Sequence, residues 1–294
     1  MDYKQIIDNF EKYMLTNTKL MSRSSNLYKR IIKNFLLYVT KKNRSLSFNI
    51  DDVNQFINIK TTGSKRGFNT KYALKCFLIS IGKNDWIYKL KPLKNKPRKK
   101  EFPYFDRIVM HKIIKGLKNP YNGIALIQSK TGARFTEAAT IKIQDIFFNL
   151  HEKFIYIQIG EYAKGMKKRR LIMNKKYEAH LRRLMGNNRF GFLFLDNKYD
   201  SMNQEVISKK CELMLKYYNR DLNKIGEMQN IVGLSSHYIR HHYADTFLLQ
   251  PGANIDKLKF LLGHSKIDTT KDYVSKDIQD KYVEHYLERD DVDI

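Results

Sequence analysis

The sequence has few acidic residues for its number of basic ones, and this imbalance narrows the classes of partner. Its 294 residues contain 30 Asp and Glu against 55 Lys and Arg, which gives a formal net charge of +25. The first 100 residues carry 23 of the basic and 6 of the acidic residues, an excess of +17, and the remainder carries an excess of +8. Such an excess favours a polyanionic partner, which is either nucleic acid or an anionic lipid surface.

Other features that the sequence lacks exclude further classes of protein. No apolar run approaches the ~20 residues that cross a bilayer, and the first residues lack the apolar core of a signal peptide, so nucleic acid is favoured over lipid. The only cysteines, Cys76 and Cys211, have neither metal-binding nor disulfide-framework spacing. Both lie in apolar, helix-like segments, which predicts buried thiols in a reducing, cytoplasmic compartment. No P-loop or carboxylate cluster is present, and no cofactor or metal is expected.

Residues 1–90 are predicted to form a small helical domain, because apolar residues recur there at three-to-four spacing in four patterns, and their charge excess favours DNA binding by this domain. Asp51 and Asp52, ahead of Val53, are a predicted helix cap. The last helix is predicted to start after a breaker at Gly67–Thr70. The alternative is a helical bundle with an ordinary solvated basic face, which the strong charge excess disfavours. The patterns are Ile6, Ile7, Phe10 and Met14; Leu27, Ile31, Phe35 and Tyr38; Val53, Phe56 and Ile57; and Tyr72, Leu74, Phe77, Leu78 and Ile81.

Residues 91–104 are predicted to be a basic linker. Three prolines within twelve residues exclude a helix, and six basic residues repel one another into an extended chain. The linker is either simply solvated or a strap along DNA phosphates that lets two domains clamp the duplex. Its candidate DNA contacts are Lys94, Lys96, Arg98, Lys99 and Lys100.

Residues 105–294 are predicted to form a second, mainly α-helical domain with one small antiparallel β-hairpin. Segments 154–159 and 170–173 are rich in β-forming residues and flank a charged turn. Gly132 is predicted to end one helix and Arg134 to open another, which places Glu137 one turn from Arg134. The predicted helices are 106–116, 121–131, 177–185, 204–218, 236–249 and 254–262, with short helices near 265 and 282–288.

The most informative stretch runs from Ser236 to Tyr273. It contains His237-x-x-Arg240, then Leu262-Gly263-His264, and Tyr273 nine positions later. On a helix Arg240 follows His237 by about one turn, so both are predicted to share a face. Two imidazoles, a guanidinium and a phenol, without carboxylate or cysteine, suit neither a metal nor peptide hydrolysis. They suit a phosphodiester, because Arg binds its oxygens bidentately, His transfers protons and Tyr can attack phosphorus.

The order of these groups resembles the tyrosine recombinases, the phage integrase family that includes the Xer-type recombinases. The resemblance rests on Thr131-Gly-x-Arg134-x-x-Glu137, a hairpin lysine, His237-x-x-Arg240, Leu-Gly-His264 and Tyr273. It implies a two-domain DNA clamp, in which a core-binding domain precedes the catalytic domain. It further implies site-specific cutting and rejoining of double-stranded DNA through a 3′-phosphotyrosyl intermediate. A homotetramer on two DNA sites is also implied, in which the C-terminal helix either docks on a neighbouring subunit or packs on its own domain.

The resemblance also implies a role for each residue. Arg134 and Arg240 clamp the scissile phosphate and His264 donates to the same oxygens, while His237 is the base for the nucleophile Tyr273. Lys164 protonates the departing 5′-hydroxyl, with Lys167 as the alternative lysine. The remaining assignments are supporting roles for Glu137 and His241, and DNA contacts for Lys167 and Arg169.

Three other functions fit parts of the sequence. A type IB topoisomerase uses the same groups but reseals the same strand after it swivels. A DNA-binding protein can keep the fold without cutting, although all six catalytic candidates are present here. A basic helical protein that binds RNA or a membrane surface would carry the motif by coincidence.

Overall fold

The chain, in a computed structural model, forms two compact units, residues 1–100 and 101–294. The structure describes residues 3–17, 22–60, 66–92, 104–149, 151, 153–162, 168–271, 274 and 278, apart from the side chains of 22, 23, 60 and 66. The described part of the chain contains no helix that is long and apolar enough to span a membrane.

The first unit contains four α-helices in its described residues, followed by a short 3-10 helix at Asn84–Lys89. They are α1 (Tyr3–Asn17), α2 (Ser22–Asn43), α3 (Ile50–Lys60) and α4 (Arg66–Ser80). Phe35 lies at the centre of their shared core, with its ring in edge-on contact with the rings of Phe48, Phe56 and Phe77 at centroid distances of 5.1, 5.3 and 6.0 Å. Aromatic side chains in this arrangement bury large apolar areas and also gain from their quadrupoles.

Two boundaries of this unit differ from the predicted ones. The predicted breaker Gly67–Thr70 lies inside α4, which begins at Arg66. The cap of α3 is Asn49 rather than the aspartate pair, because Asn49 Oδ1 accepts from the Asp52 amide and Asp52 Oδ2 accepts from the Asn49 amide, both at 3.0 Å. This reciprocal pairing satisfies two otherwise unpaired amide groups at the start of the helix.

The second unit begins with three helices and a small sheet. The helices are α5 (Arg107–Gly116), α6 (Tyr121–Thr131) and α7 (Phe135–Ala139). The strands β1 (Ile146–Phe148), β2 (Phe154–Ile159) and β3 (Arg169–Asn174) form an antiparallel sheet in the order β1-β2-β3. In its register Ile157 faces Ile146 and Leu171, so apolar side chains of all three strands meet on one face.

Five helices complete the described part of this unit. They are α8 (Glu178–Met185), α9 (Gln204–Met228), α10 (Ser236–Leu248), α11 (Ile255–Leu262) and α12 (Ile267–Lys271). Helix α10 packs against α6, α9 and α11, and most of its side chains are buried, including Arg240, His241 and His242. A polar helix at the centre of a unit is costly unless its polar groups are paired, and this pairing builds the site described below.

The structure confirms the predicted fold class, which is mainly α-helical with a small antiparallel sheet in the second unit. Cys76 and Cys211 are both buried as free thiols, as predicted. The structure adds strand β1, which the sequence analysis missed, and extends α9 ten residues beyond its predicted end at Tyr218 to Met228.

Candidate active site

The loop between α6 and α7 positions Arg134. Helix α6 ends at Gly132, whose φ of +65° lies in the left-handed region. A side chain there would also collide with the Tyr243 ring and approach Leu262 Cδ2 to 2.7 Å, so only glycine fits this turn. The chain then turns so that Arg134 caps α7, and the Glu137 carboxylate accepts from the Arg134 amide at 2.8 Å.

Glu137 is the centre of the cluster. Its Oε1 lies 2.8 Å from Arg134 Nη1 and its Oε2 lies 2.7 Å from Arg169 Nη2, while Arg240 Nη1 is 4.0 Å from Oε2. Burial is the largest single influence on this carboxyl and raises its pKa, but Arg169 and Arg134 outweigh burial and bring the pKa below its usual 4.5. The carboxylate is therefore ionised at neutral pH and neutralises part of the surrounding positive charge.

Arg240 joins the ends of two helices. Its side chain is 1% exposed, and its Nη1 donates to the carbonyl of Gly132 at the end of α6. Its Nη2 donates to the Leu262 carbonyl at the end of α11, at 2.6 Å, and lies 3.0 Å from His264 Nε2. Helix C-termini carry partial negative charge, so a buried guanidinium is stabilised between them.

The tautomer of His264 follows from its neighbours. Arginine only donates, so His264 Nε2 must accept from Arg240, and Nδ1–H then donates to Thr270 Oγ1 at 3.0 Å. Burial, and then Arg240, Arg134 and Arg169, lower the pKa of His264 to about 4, so the imidazole is neutral at pH 7. Donation from Nε2 to a phosphate, as the sequence analysis predicts, requires this nitrogen to release Arg240 and to carry the proton.

The three histidines of α10 lie in different environments. His237 and Arg240 lie three residues apart on α10, and the structure leaves His237 exposed while Arg240 is buried. His241 is buried. His242 stacks on the Phe105 ring at 5.1 Å, and its Nδ1–H donates to the Phe105 carbonyl at 3.0 Å. His242 is thus a packed core residue.

Several predicted residues lie outside the described part of the chain. These are the candidate nucleophile Tyr273, both candidate lysines Lys164 and Lys167, and the linker residues Lys94, Lys96, Arg98, Lys99 and Lys100. The structure therefore brings together Arg134, Glu137, Arg240 and His264 of the predicted set. Arg169, predicted as a DNA contact, faces inward on Glu137.

Sequence reasoning missed two residues that support the cluster. Thr270 fixes the His264 ring, and its position six residues later on the next helix was the only available signal. Gln128, fully buried on α6, donates from Nε2 to the Ala133 carbonyl at 3.0 Å and to Ser236 Oγ at 3.1 Å. Gln128 thus ties the segment before Arg134 to the start of α10, which carries His237 and Arg240.

Comparison with known proteins identifies relatives of this chain. Residues 105–280 match the model of the phage integrase family. The integrase of Escherichia phage P2 is 25% identical over 178 residues, covering 60% of this chain and 44% of that protein. Tyrosine recombinase XerA of Pyrococcus furiosus is 29% identical over 171 residues, covering 56% and 53%. The chain thus spans about half the length of these two relatives.

A tyrosine recombinase of Thermosipho africanus is 22% identical over 298 residues, which cover 95% of this chain and 97% of that protein.

Two solved structures share the fold. A lambda integrase dimer bound to a COC′ core site aligns with a TM-score of 0.64 at 13% identity, covering 93% of this chain and 95% of that one. The XerH site-specific recombinase bound to a palindromic difH substrate aligns with a TM-score of 0.62 at 17% identity, covering 90% and 79%. Since the family match covers more than half of the chain, the protein belongs to the phage integrase family, that of the tyrosine recombinases.

Proposed function

We propose that the protein is a site-specific DNA recombinase that cuts and rejoins double-stranded DNA through a 3′-phosphotyrosyl intermediate. The observation that carries this proposal is the grouping of Arg134 and Arg240 around one buried carboxylate, Glu137, with His264 in contact with Arg240. These residues come from the α6–α7 loop, α7, α10 and the turn after α11, so the fold has to bring them together. The proposal also rests on the family membership and on the position of Tyr273 nine residues after His264.

The charge of the cluster suits phosphoryl transfer. Arg134, Arg169 and Arg240 carry three positive charges and Glu137 one negative charge, which leaves +2 with His264 neutral. A phosphodiester carries one negative charge, and more charge accumulates on its non-bridging oxygens as a nucleophile adds. Fixed cations aimed at that position stabilise the transition state without reorganising.

In the proposed reaction the phenol oxygen of Tyr273 bonds to phosphorus and the bond from phosphorus to the 5′-oxygen breaks. His237, exposed on α10, accepts the phenol proton, and Lys164 protonates the departing 5′-oxygen. The 3′-phosphotyrosyl bond keeps the energy of the phosphodiester. Attack by the 5′-hydroxyl of a second strand therefore reverses the same steps and joins new partners.

The proposed partner is double-stranded DNA, bound by a clamp of both units and the basic linker. The excess of +17 in the first 100 residues supports this assignment. Two of the structural neighbours are described as bound to DNA core or difH sites. A homotetramer on two sites, with the C-terminal helix docked on a neighbouring subunit, completes the proposal, as does a cytoplasmic location on DNA.

The test is capture of the covalent intermediate. A pool of lightly nicked, random-sequence duplexes is incubated with the protein in chelator, and protein-linked DNA is recovered after denaturation and sequenced. Nicks trap the intermediate because the short 5′-hydroxyl strand diffuses away. We expect enrichment of one duplex site and an adduct whose DNA strand is blocked at its 3′ end. Tyr273→Phe abolishes the adduct, and the control Tyr282→Phe retains it.

Each alternative has its own outcome. An adduct that persists in Tyr273→Phe and disappears in Tyr282→Phe would refute the assignment of the nucleophile. An adduct without any joining between two labelled duplexes, together with relaxation of supercoiled plasmid, would favour the topoisomerase reaction. Enrichment of one sequence by binding alone, without adduct, would indicate a DNA-binding protein that does not cut.

A further inference from the structure

Arg169 occupies an unusual position for a residue in a basic hairpin. It is the first residue of β3, directly after the exposed Lys168, yet its side chain is only 13% exposed. Its Nη2 donates to Glu137 Oε2 at 2.7 Å, and its Nη1 donates to the carbonyl of Leu261 near the end of α11. One guanidinium therefore connects the hairpin, α7 and α11.

The contact with Glu137 extends to Arg134. The two oxygens of this buried carboxylate are shared, since Oε1 binds the Arg134 guanidinium and Oε2 binds both the Arg134 amide and Arg169. Without Arg169, Oε2 would lose its charged hydrogen-bond donor and keep only the more distant Arg240 Nη1, at 4.0 Å, so the carboxylate could rotate and carry Arg134 with it. Arg134 is the more exposed guanidinium of the pair, at 32%, so it is the one placed to meet a phosphate.

The contact with α11 extends to His264. A Cβ built on Gly263 would lie 2.9 Å from Arg169 Cδ, so the stem of Arg169 packs closely against the turn that precedes His264. Gly263 also has a φ of +65°, which a side chain adopts only with strain. Arg169 thus packs closely against Leu261 and Gly263, directly before His264.

We propose that Arg169 is a positioning residue, which fixes Arg134 through Glu137 and His264 through the end of α11, relative to the β2–β3 hairpin. This role rests on the proposed function, because the geometry that Arg169 holds is that of the proposed phosphate site. It replaces the role of a direct DNA contact that the sequence analysis assigned to Arg169. The start of strand β3 is then tied to both Arg134 and His264.

The neighbouring Arg170 provides a matched control. It is exposed, with its guanidinium 5.8 Å from the centre of the Tyr156 ring, and Arg170→Gln removes the same charge one residue away. The adduct rate is measured at saturating duplex, using the site recovered from the random pool, and duplex affinity is measured separately. Arg169→Lys keeps the charge but cannot reach two acceptors with a planar fork.

We expect Arg169→Gln to bind duplex as tightly as Arg170→Gln but to form the adduct about 10- to 100-fold more slowly at saturation. Arg169→Lys is expected to remain slow, with affinity close to that of the unchanged protein. If Arg169 contacts phosphate directly, Arg169→Gln will lower affinity with a normal saturated rate and Arg169→Lys will restore it, and this result would overturn the proposal. Equal saturated rates in Arg169→Gln and Arg170→Gln would also overturn it.

Hydrogen exchange separates this proposal from the proposed function. The amides of Gly263 and His264 donate to the carbonyls of Phe260 and Lys259 at 3.0 Å. Even if the unchanged protein forms no adduct, which refutes the proposed function, these amides should exchange faster in Arg169→Lys than in Arg170→Gln. Unchanged exchange at Gly263 and His264 would refute positioning by Arg169, whether or not the protein cuts DNA.

Discussion

At the scale of single residues, Glu137 allows three guanidinium groups to lie close together. Arg134 and Arg169 are both within hydrogen-bonding distance of its carboxylate, and Arg240 is 4.0 Å away. Removal of one partner from a buried charge cluster leaves an uncompensated charge, and this lowers the stability of the folded protein strongly. The stability of this site and the direction of its cations therefore depend on the carboxylate of Glu137.

The buried histidines make the second unit sensitive to acid. Burial lowers the pKa of His242 to about 4 and outweighs the Phe105 carbonyl, which raises it. The unfolded chain binds a proton below pH 6.5 and the folded chain only near pH 4, so the free energy of unfolding falls as the pH drops through this range. Between pH 7 and pH 5 we expect His242 to lower the free energy of unfolding by about 2 kcal/mol. His264 acts in the same direction.

Urea unfolding at pH 7 and pH 5 measures this loss by circular dichroism, which reports both units. The sole tryptophan, Trp86, packs on the core of the first unit, and its fluorescence follows that unit separately. His242→Gln should reduce the difference between the two pH values, whereas His111→Gln, on the exposed side of α5, should not. The same pH dependence in His242→Gln and the unchanged protein would contradict the assignment.

The pair Arg134 and Glu137 was predictable from sequence because residues three apart on a helix are neighbours. The inward position of Arg169 was not predictable. It belongs to a run of basic residues, Lys167 to Arg170, in which alternation along a strand gives no reason to choose one. Its burial depends on Glu137 and Gly263, which are 32 and 94 positions away and meet it only in the folded chain.

At the scale of elements, Gln128 joins three helices and a loop. Its Oε1 accepts from Tyr218 Oη at 3.1 Å, and its Nε2 donates to Ser236 Oγ and to the Ala133 carbonyl. Gln128→Leu preserves the volume but leaves three buried polar groups with a lost partner, each costing about 1–3 kcal/mol. We expect a total loss of about 3 kcal/mol or more, against about 1 kcal/mol for Tyr218→Phe, which removes one hydrogen bond.

Urea unfolding at pH 7, followed by circular dichroism, distinguishes the two variants of this network. Trp86 fluorescence should be unchanged in both, because the Gln128 network lies in the second unit. If Tyr218→Phe destabilised the protein as much as Gln128→Leu, the hydroxyl of Tyr218 rather than the amide of Gln128 would be the main support of the network.

The elements themselves were predictable where amphipathic patterns were long. Strand β1 was missed because three residues are too few to show alternation. Helix α9 continues past Tyr218 because Leu222 and Ile225 keep the spacing of its buried face, although three residues between Tyr218 and Ile225 have low helix propensity: Asn219, Asp221 and Asn223. Helix α4 includes Gly67 because that glycine is buried, and packing overrides propensity.

At the scale of the whole molecule, charge is divided unequally between the two units. The first 100 residues have an excess of +17 and the rest +8, although the second unit holds the proposed phosphate site. In the proposed function, the first unit and the linker would supply most of the affinity for DNA, whereas the second unit would supply the chemistry. Phosphate contacts give affinity that falls steeply with salt, because bound cations are released from DNA.

The linker therefore offers the last prediction. Lys96, Arg98, Lys99 and Lys100 are replaced together by glutamine, and duplex affinity is measured over a range of salt concentrations. Each lost phosphate contact lowers the salt slope by about 0.9, so four contacts should lower it by about 3 to 4. The matched control removes four cations that are paired with carboxylates on the second unit: Arg182, Lys198, Lys209 and Arg220. It should change the salt slope by less than about 1, since exposed cations that are already paired with carboxylates contribute little to binding of DNA phosphates. Equal slopes for the two variants would mean that the linker is only a solvated connection and that the DNA is held elsewhere.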